Sequence, residues 1–235
     1  MTTTIRGVIF DKDGTLFDFH ASWGAWAGAL IAELAAGDAE RMARLAGALR
    51  YDLRRRRFAP DSPAIAGSPD DVVALMVGHL PGMTAAALRA HINTRAAAAP
   101  MVPAVPLAPL LDRLRGDGIR LGVATNDAEA PACAHLGDVA GRFDFIAGHD
   151  SGYGPKPEPG MLTAFARAFR LDPQSVLMVG DSLHDLRAGR AAGMCTAGVL
   201  TGPAARDDLA PLADAVLADI GELPGLLARW RPGAR

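Results

Sequence analysis

The chain has 235 residues, half of them apolar, with 24 basic against 26 acidic side chains, which suits one or two globular domains. A formal net charge of −2 leaves no global basic field to gather nucleic acid or an anionic membrane, so neither is expected as a partner. Nothing resembles a signal peptide or a membrane span, since the most apolar long run, 25–36, is broken by Glu33, and two cysteines with no metal-site spacing, Cys133 and Cys195, fit a reduced, cytoplasmic protein.

Residues 5–10 form a short apolar run followed at once by Asp11-Lys12-Asp13-Gly14-Thr15, which predicts a buried strand ending in a polar turn. Residues 18–99 then read as helices only. In the first helix Trp23, Trp26, Leu30, Ile31 and Leu34 keep helical spacing, and in the second, starting near Asp38, Met42, Leu45, Leu49 and Leu53 share a face. A third has Ser68 as N-cap with Pro69 at its first position and Asp71 three residues after the cap, and a fourth runs from Thr84 past Leu88 and Ile92. Pro100, Pro103, Pro106 and Pro109 mark the return linker.

From there strands are expected at 119–124, 143–147, 175–179, 196–200 and 215–217, with helices at 107–115, 130–139, 159–169 and 185–192 between them. The alternation predicts an α/β fold: a Rossmann-like, doubly wound parallel sheet formed by 1–17 and 100–235, with the helical segment 18–99 inserted after the first strand. In such a sheet the ligand site lies outside the carboxyl ends of the strands.

Polar groups follow several of those ends: Asp11 and Asp13, then Thr125 and Asn126, then Lys156 in Gly154-Pro155-Lys156-Pro157, then Asp181 and Asp185 in Gly180-Asp181-Ser182-Leu183-His184-Asp185. A single Asp after a strand is ordinarily a cap or turn residue. Parallel strands, however, make all of these groups neighbours, and crowded carboxylates raise one another's pKa and repel, so the cluster calls for a cation. An all-oxygen donor set suits a hard ion, magnesium when a substrate phosphate shares it, and Lys156 with the Thr125 hydroxyl supplies donors for a phosphoryl group. A carboxylate attacking phosphorus would give an aspartyl-phosphate, with the second Asp of the pair handling protons and Gly14 permitting the turn. The chain's 24 cationic residues include just two lysines, Lys12 and Lys156, and both fall in these segments.

These motifs resemble those of the haloacid-dehalogenase superfamily of phosphohydrolases, and within it the phosphoglycolate-phosphatase-like branch. DxDGT is matched by Asp11 to Thr15, the strand ending in Thr or Ser by Val123-Ala124-Thr125-Asn126, KPxP by Lys156-Pro157-Glu158-Pro159, and GDSxxD by Gly180 to Asp185. The resemblance implies that 18–99 is a helical cap, that Asp11 is the nucleophile and that Asp13 is the general acid and base. It also implies magnesium held by Asp11, the Asp13 backbone carbonyl and Asp181 with Asp185 close behind. Thr125 and Lys156 would bind phosphoryl oxygens, assisted by main-chain N–H groups near Asp13, Gly14 and Asn126. Lys12, at a position the family commonly fills with an apolar residue, is given a structural or modest electrostatic part.

Arg54 to Arg57 read as a solvated run on a helix, and His184 as a surface or outlying residue, since imidazole prefers softer ions than magnesium. Trp23, following His20, is weighed between lining the pocket and simple packing. His79, His91, His135 and His149 show no readable pairing. The function expected is a magnesium-dependent phosphatase acting on a small phosphorylated metabolite, phosphoglycolate-like. A sugar phosphomutase of the same superfamily and a non-enzymatic, receiver-like phospho-signalling module are the alternatives. The helical insertion and Asp13 speak against the second. The phosphonate-cleaving branch needs a cap lysine, which 18–99 lacks.

Overall fold

The computed structural model describes residues 4–59, 61–66 and 69–231. The chain packs as two compact units, one made of Met1–Phe19 with Pro103–Arg235 and the other of His20–Val102.

The first unit is built on β1 (Gly7–Phe10), whose four residues are all buried, as expected for a strand covered on both faces. The inserted second unit begins with a π-helical turn, His20–Gly24, and continues through α1 (Ala25–Ala35) and α2 (Ala39–Ala48). A hairpin of β2 (Tyr51–Asp52) and β3 (Arg57–Phe58) follows, then α3 (Pro63–Ala66), α4 (Pro69–Val77) and α5 (Ala85–Ala97). Returning to the first unit, α6 (Leu107–Gly116), β4 (Arg120–Ala124), α7 (Glu129–Leu136), β5 (Phe145–Ala147) and α8 (Gly160–Ala168) come in turn. The chain ends with β6 (Val176–Gly180), α9 (Leu183–Ala191), β7 (Cys195–Val199), α10 (Arg206–Leu209), β8 (Ala215–Leu217) and α11 (Leu223–Trp230).

The sheet has six parallel strands in the order β5-β4-β1-β6-β7-β8. Strand succession runs one way from β1 through β4 to β5 and then reverses, so the switch point lies beside β1, where the sheet opens a crevice at its carboxyl edge. Phe10 is in register with Val123 of β4 and Val179 of β6, which brings the residues just after these three strands to one level. One face of the sheet, with Ile9, Ala124 and Met178, packs on Met161, Leu162 and Phe165 of α8 and Ala188 of α9.

The second unit departs from the all-helical expectation. Helix α2 starts as predicted, with the Asp38 carboxylate accepting from the Arg41 N–H, but ends at Ala48. Arg50 then takes a left-handed φ of 50° and the chain reverses into the hairpin. Asp52 Oδ1 accepts from the N–H groups of both Arg54 and Arg55 at 2.9 Å, and the rings of Tyr51 and Phe58 pair 5.2 Å apart across the strands. A side chain offering its backbone two local hydrogen bonds competes successfully with helix continuation here. Leu53 is therefore exposed instead of sharing the face of Leu45 and Leu49, and the arginine run sits on the hairpin and its turn instead of a helix. Helix α5 is capped as expected by Thr84, whose hydroxyl accepts from the Ala87 N–H, whereas the Ser68 cap lies outside the described residues. Among the described residues no helix is long and apolar enough to cross a membrane.

Candidate active site

Asp11 directly follows β1, and its N–H donates to the Val179 carbonyl, so the central strand's pairing itself carries the carboxylate to the sheet edge. Asp181 directly follows β6. Asp185 stands in the first turn of α9 as half of a capping box: its Oδ2 accepts from the Ser182 N–H at 3.0 Å and from the Ser182 hydroxyl at 2.7 Å. The GDSxxD spacing is thus a strand end, an N-cap and the third helical residue, which turns Asp185 back towards the strand.

The carboxylates of Asp11, Asp181 and Asp185 lie within 4.8 Å of one another and all are buried. Lys156 joins them from the loop after β5, its ammonium 2.6 Å from Asp11 Oδ1 and 2.6 Å from Asp185 Oδ1. Its loop is clamped by Asn126, whose side-chain amide donates to the Lys156 carbonyl at 3.0 Å and accepts from the Lys156 N–H at 2.8 Å. The buried Thr125 hydroxyl accepts from the Asp127 N–H at 3.1 Å.

Three carboxylates against one ammonium leave the cluster negative. Burial, with the neighbouring Asp185, pushes the Asp11 carboxyl up to about 7 although Lys156 opposes the shift. Burial likewise drives Asp181 well above the ordinary carboxylate value, again reinforced by Asp185 and Asp11. The same carboxylates overcome the burial of Lys156 and hold its ammonium firmly protonated. A buried excess of negative charge made wholly of oxygen donors fits a hard divalent cation.

Glycine fixes the geometry of Asp181. A Cβ on Gly202 would lie 1.7 Å from Asp181 Oδ2, and one on Gly14, whose φ of +76° already favours glycine, would lie 2.2 Å from the same atom. Thr201, next to Gly202, donates from its hydroxyl to the Gly14 carbonyl at 2.6 Å and so ties the loop after β7 to the DxDGT turn. Thr201 and Gly202 carry no motif and were not legible in the sequence.

The structure thus brings together Asp11, Asp181, Asp185 and Lys156, supported by Asn126 and Gly14. The Asp13 carboxylate stands outside the acidic cluster and instead accepts from Lys12 at 2.7 Å. Of the structural and the modest electrostatic part expected of Lys12, its burial fits the structural one. Lys12 is fully buried and also lies 3.1 Å from Asp127 Oδ2 and 3.2 Å from His135 Nδ1, a pairing of His135 that its sequence context concealed. His184 and His149 are exposed, and His91 lies 3.3 Å from Glu33 in the second unit.

Comparison with known proteins gives the family. Residues 5–193 match the family described as haloacid dehalogenase-like hydrolase. A phosphoglycolate phosphatase from Nitrosospira multiformis is 31% identical over 194 residues, covering 80% of each chain. Among solved structures, a HAD family hydrolase from Deinococcus radiodurans with bound phosphate and sodium superimposes with a TM-score of 0.71 at 22% identity, over 97% of both chains. A protein from Thermotoga maritima assigned as a beta-phosphoglucomutase gives 0.72 at 19% identity, over 95% of this chain and 98% of its own. With the family match spanning most of its length and a full-scale relative above 30% identity, the chain belongs to the haloacid dehalogenase-like hydrolases, on their phosphoglycolate-phosphatase-like branch, and is a phosphoric monoester hydrolase.

Proposed function

We propose that the protein is a magnesium-dependent phosphatase that hydrolyses a small phosphomonoester of the phosphoglycolate kind through an aspartyl-phosphate on Asp11. The observation that carries this reading is the convergence of three buried carboxylates on one buried ammonium at the sheet's switch point. Asp11, Asp181 and the backbone carbonyl of Asp13 would hold the ion, with Asp185 behind them. Bound there, magnesium offsets the cluster's negative charge and polarises a phosphoryl oxygen.

The chain's own groups divide the remaining work. Lys156 anchors Asp11 Oδ1 and presents its ammonium to the phosphoryl group, whose other contacts are the Thr125 hydroxyl and the main-chain N–H groups around Gly14 and Asn126. Asp11 attacks phosphorus while Asp13 protonates the departing alkoxide. Asp13 then takes a proton from the water that cleaves the acyl phosphate, and free phosphate leaves. We assign 18–99 the role of the family's helical cap and 1–17 with 100–235 that of the phosphohydrolase core. Supporting this division, the chain partitions into compact units at residues 19/20 and 102/103. Two free cysteines, neither of them in a disulfide, favour the cytoplasm as its compartment.

A phosphate-release screen over small phosphomonoesters, with magnesium and then with chelator, tests the proposal. We expect turnover of phosphoglycolate-like esters that chelation abolishes and magnesium restores. Acid-quenched Asp13→Asn, fed p-nitrophenyl phosphate, should carry one phosphoryl group on Asp11. Activity surviving chelation, an isomerised sugar phosphate in place of free phosphate, or an Asp13→Asn protein whose phosphoryl group maps away from Asp11 would each defeat the corresponding part.

A further inference from the structure

Lys12 is a lysine with no solvent exposure, placed at the end of the central strand between the two aspartates of the DxDGT motif. Burying an ammonium is costly unless it is paired and hydrogen-bonded. Its Nζ donates to Asp13 Oδ1 at 2.7 Å and lies 3.1 Å from Asp127 Oδ2 and 3.2 Å from His135 Nδ1. An ammonium can only donate, so His135 Nδ1 is the acceptor in that contact. Burial pulls the ammonium down, but Asp13 and Asp127 outweigh it and hold Lys12 above the ordinary lysine value. None of the catalytic steps above uses this cation.

We propose that Lys12, itself held by Asp127 and His135, is a positioning residue that fixes the Asp13 carboxylate in the orientation needed for proton transfer. The inference rests on the reading of Asp13 as general acid and base. A carboxylate is planar, so holding Oδ1 by a 2.7 Å charge-assisted bond also sets the direction of Oδ2. The Asp13 side chain retains 21% exposure, so the bond to Lys12 restrains a carboxylate that borders solvent. The slot also explains why lysine persists in a chain whose other cations, Lys156 excepted, are all arginine. A compact ammonium fits among two carboxylates and an imidazole where a planar guanidinium is too wide. Lys156 obeys the same rule, lodged between Asp11 and Asp185.

The test measures kcat/KM across phosphomonoesters whose leaving groups range from p-nitrophenolate to simple alkoxides. In a two-step transfer this ratio reports the steps up to departure of the leaving group, where a positioned acid matters most for poor leaving groups. Lys12→Met should lose at least ~10-fold on alkyl esters, within the ~10²–10⁴-fold that general acid help supplies, and far less on p-nitrophenyl phosphate. Asp127→Asn should steepen the leaving-group dependence in the same direction by a smaller factor. Adding Lys12→Met to Asp13→Asn should change that dependence no further.

A uniform loss across all leaving groups in folded Lys12→Met would mean a structural role only and overturns the inference. Should Lys12→Met fail to fold, Asp127→Asn, at a side chain 37% exposed, is judged by the same criterion. If Asp13→Asn steepens the dependence and the lysine-side variants do not, the inference alone falls. If Asp13→Asn itself leaves the dependence flat, the proton-transfer reading falls and takes this one with it.

Discussion

Replacing Lys156 by methionine keeps an unbranched side chain, one atom shorter, and removes the ammonium with its charge and its hydrogen bonds. The side chain is 3% exposed, and its ammonium touches Asp11 Oδ1 and Asp185 Oδ1 at 2.6 Å each. Removing one partner of a buried ion pair costs about 3–5 kcal/mol, because the remaining charge stays desolvated. In a chain of this size 1 kcal/mol moves Tm by about 2–4 °C, so the variant should melt roughly 6–20 °C lower in chelator near pH 8. The penalty has a defined pH dependence. Asp11 has its folded-state carboxyl raised from 3.8 to about 7, so the folded protein binds the extra proton as pH falls through that window. Protonation replaces part of what Lys156 supplied, and the gap between variant and parent should narrow towards about pH 5. Lys156→Arg should cost less stability, about 1–3 kcal/mol of overpacking, yet still lose activity because guanidinium cannot occupy the space between the two oxygens. Calorimetry of both variants in chelator, at the two pH values, makes the comparison. Equal melting of Lys156→Met and parent at the higher pH would show that the ammonium does not hold the carboxylates together.

Two further outcomes follow from the same site. Gly202→Ala places a methyl 1.7 Å from Asp181 Oδ2, so the carboxylate must move; the magnesium needed for half-maximal activity should rise about 10–100-fold, and an unchanged midpoint would detach Asp181 from the ion. Metal-free parent protein should lose stability as pH rises from 3.8 to about 7, since the folded state holds the Asp11 proton that the unfolded chain gives up, and a flat or opposite profile in chelator would refute the raised carboxyl.

The sheet was legible because its strands are apolar runs that end abruptly in polar turns: Gly-Val-Ile-Phe before Asp11 and Val-Leu-Met-Val-Gly before Asp181. Once parallel pairing is inferred, the meeting of Asp11, Asp181, Asp185 and Lys156 follows from topology. The hairpin at Tyr51–Phe58 was hidden because Leu45, Leu49 and Leu53 keep a helical interval, while the residues that break it, Arg50 and Asp52, act through a local backbone turn. Thr201 and Gly202 were hidden for a different reason. Their significance lies in a contact across the sheet edge with Gly14 and Asp181, and no spacing within the loop itself encodes it. Lys12 left one trace, its rarity, but the partners that define it, Asp127 and His135, come from the segment after β4.

The strand bearing Asp11 is synthesised before both of the strands it pairs with. Gly7 pairs with Arg120 on one side and Val176 on the other. During translation the inserted unit, His20–Val102, is complete before either neighbour exists. Domains fold as units while the chain emerges, so the insertion can fold while β1 still waits as an unpaired apolar segment. Contacts this distant in sequence carry a loop-closure cost that slows assembly, and the insertion reduces it by drawing the two ends of the intervening chain closer before the sheet forms. The acidic cluster is thus assembled late: Asp11 meets Asp181 and Asp185 only once β6 has been made and docked beside β1.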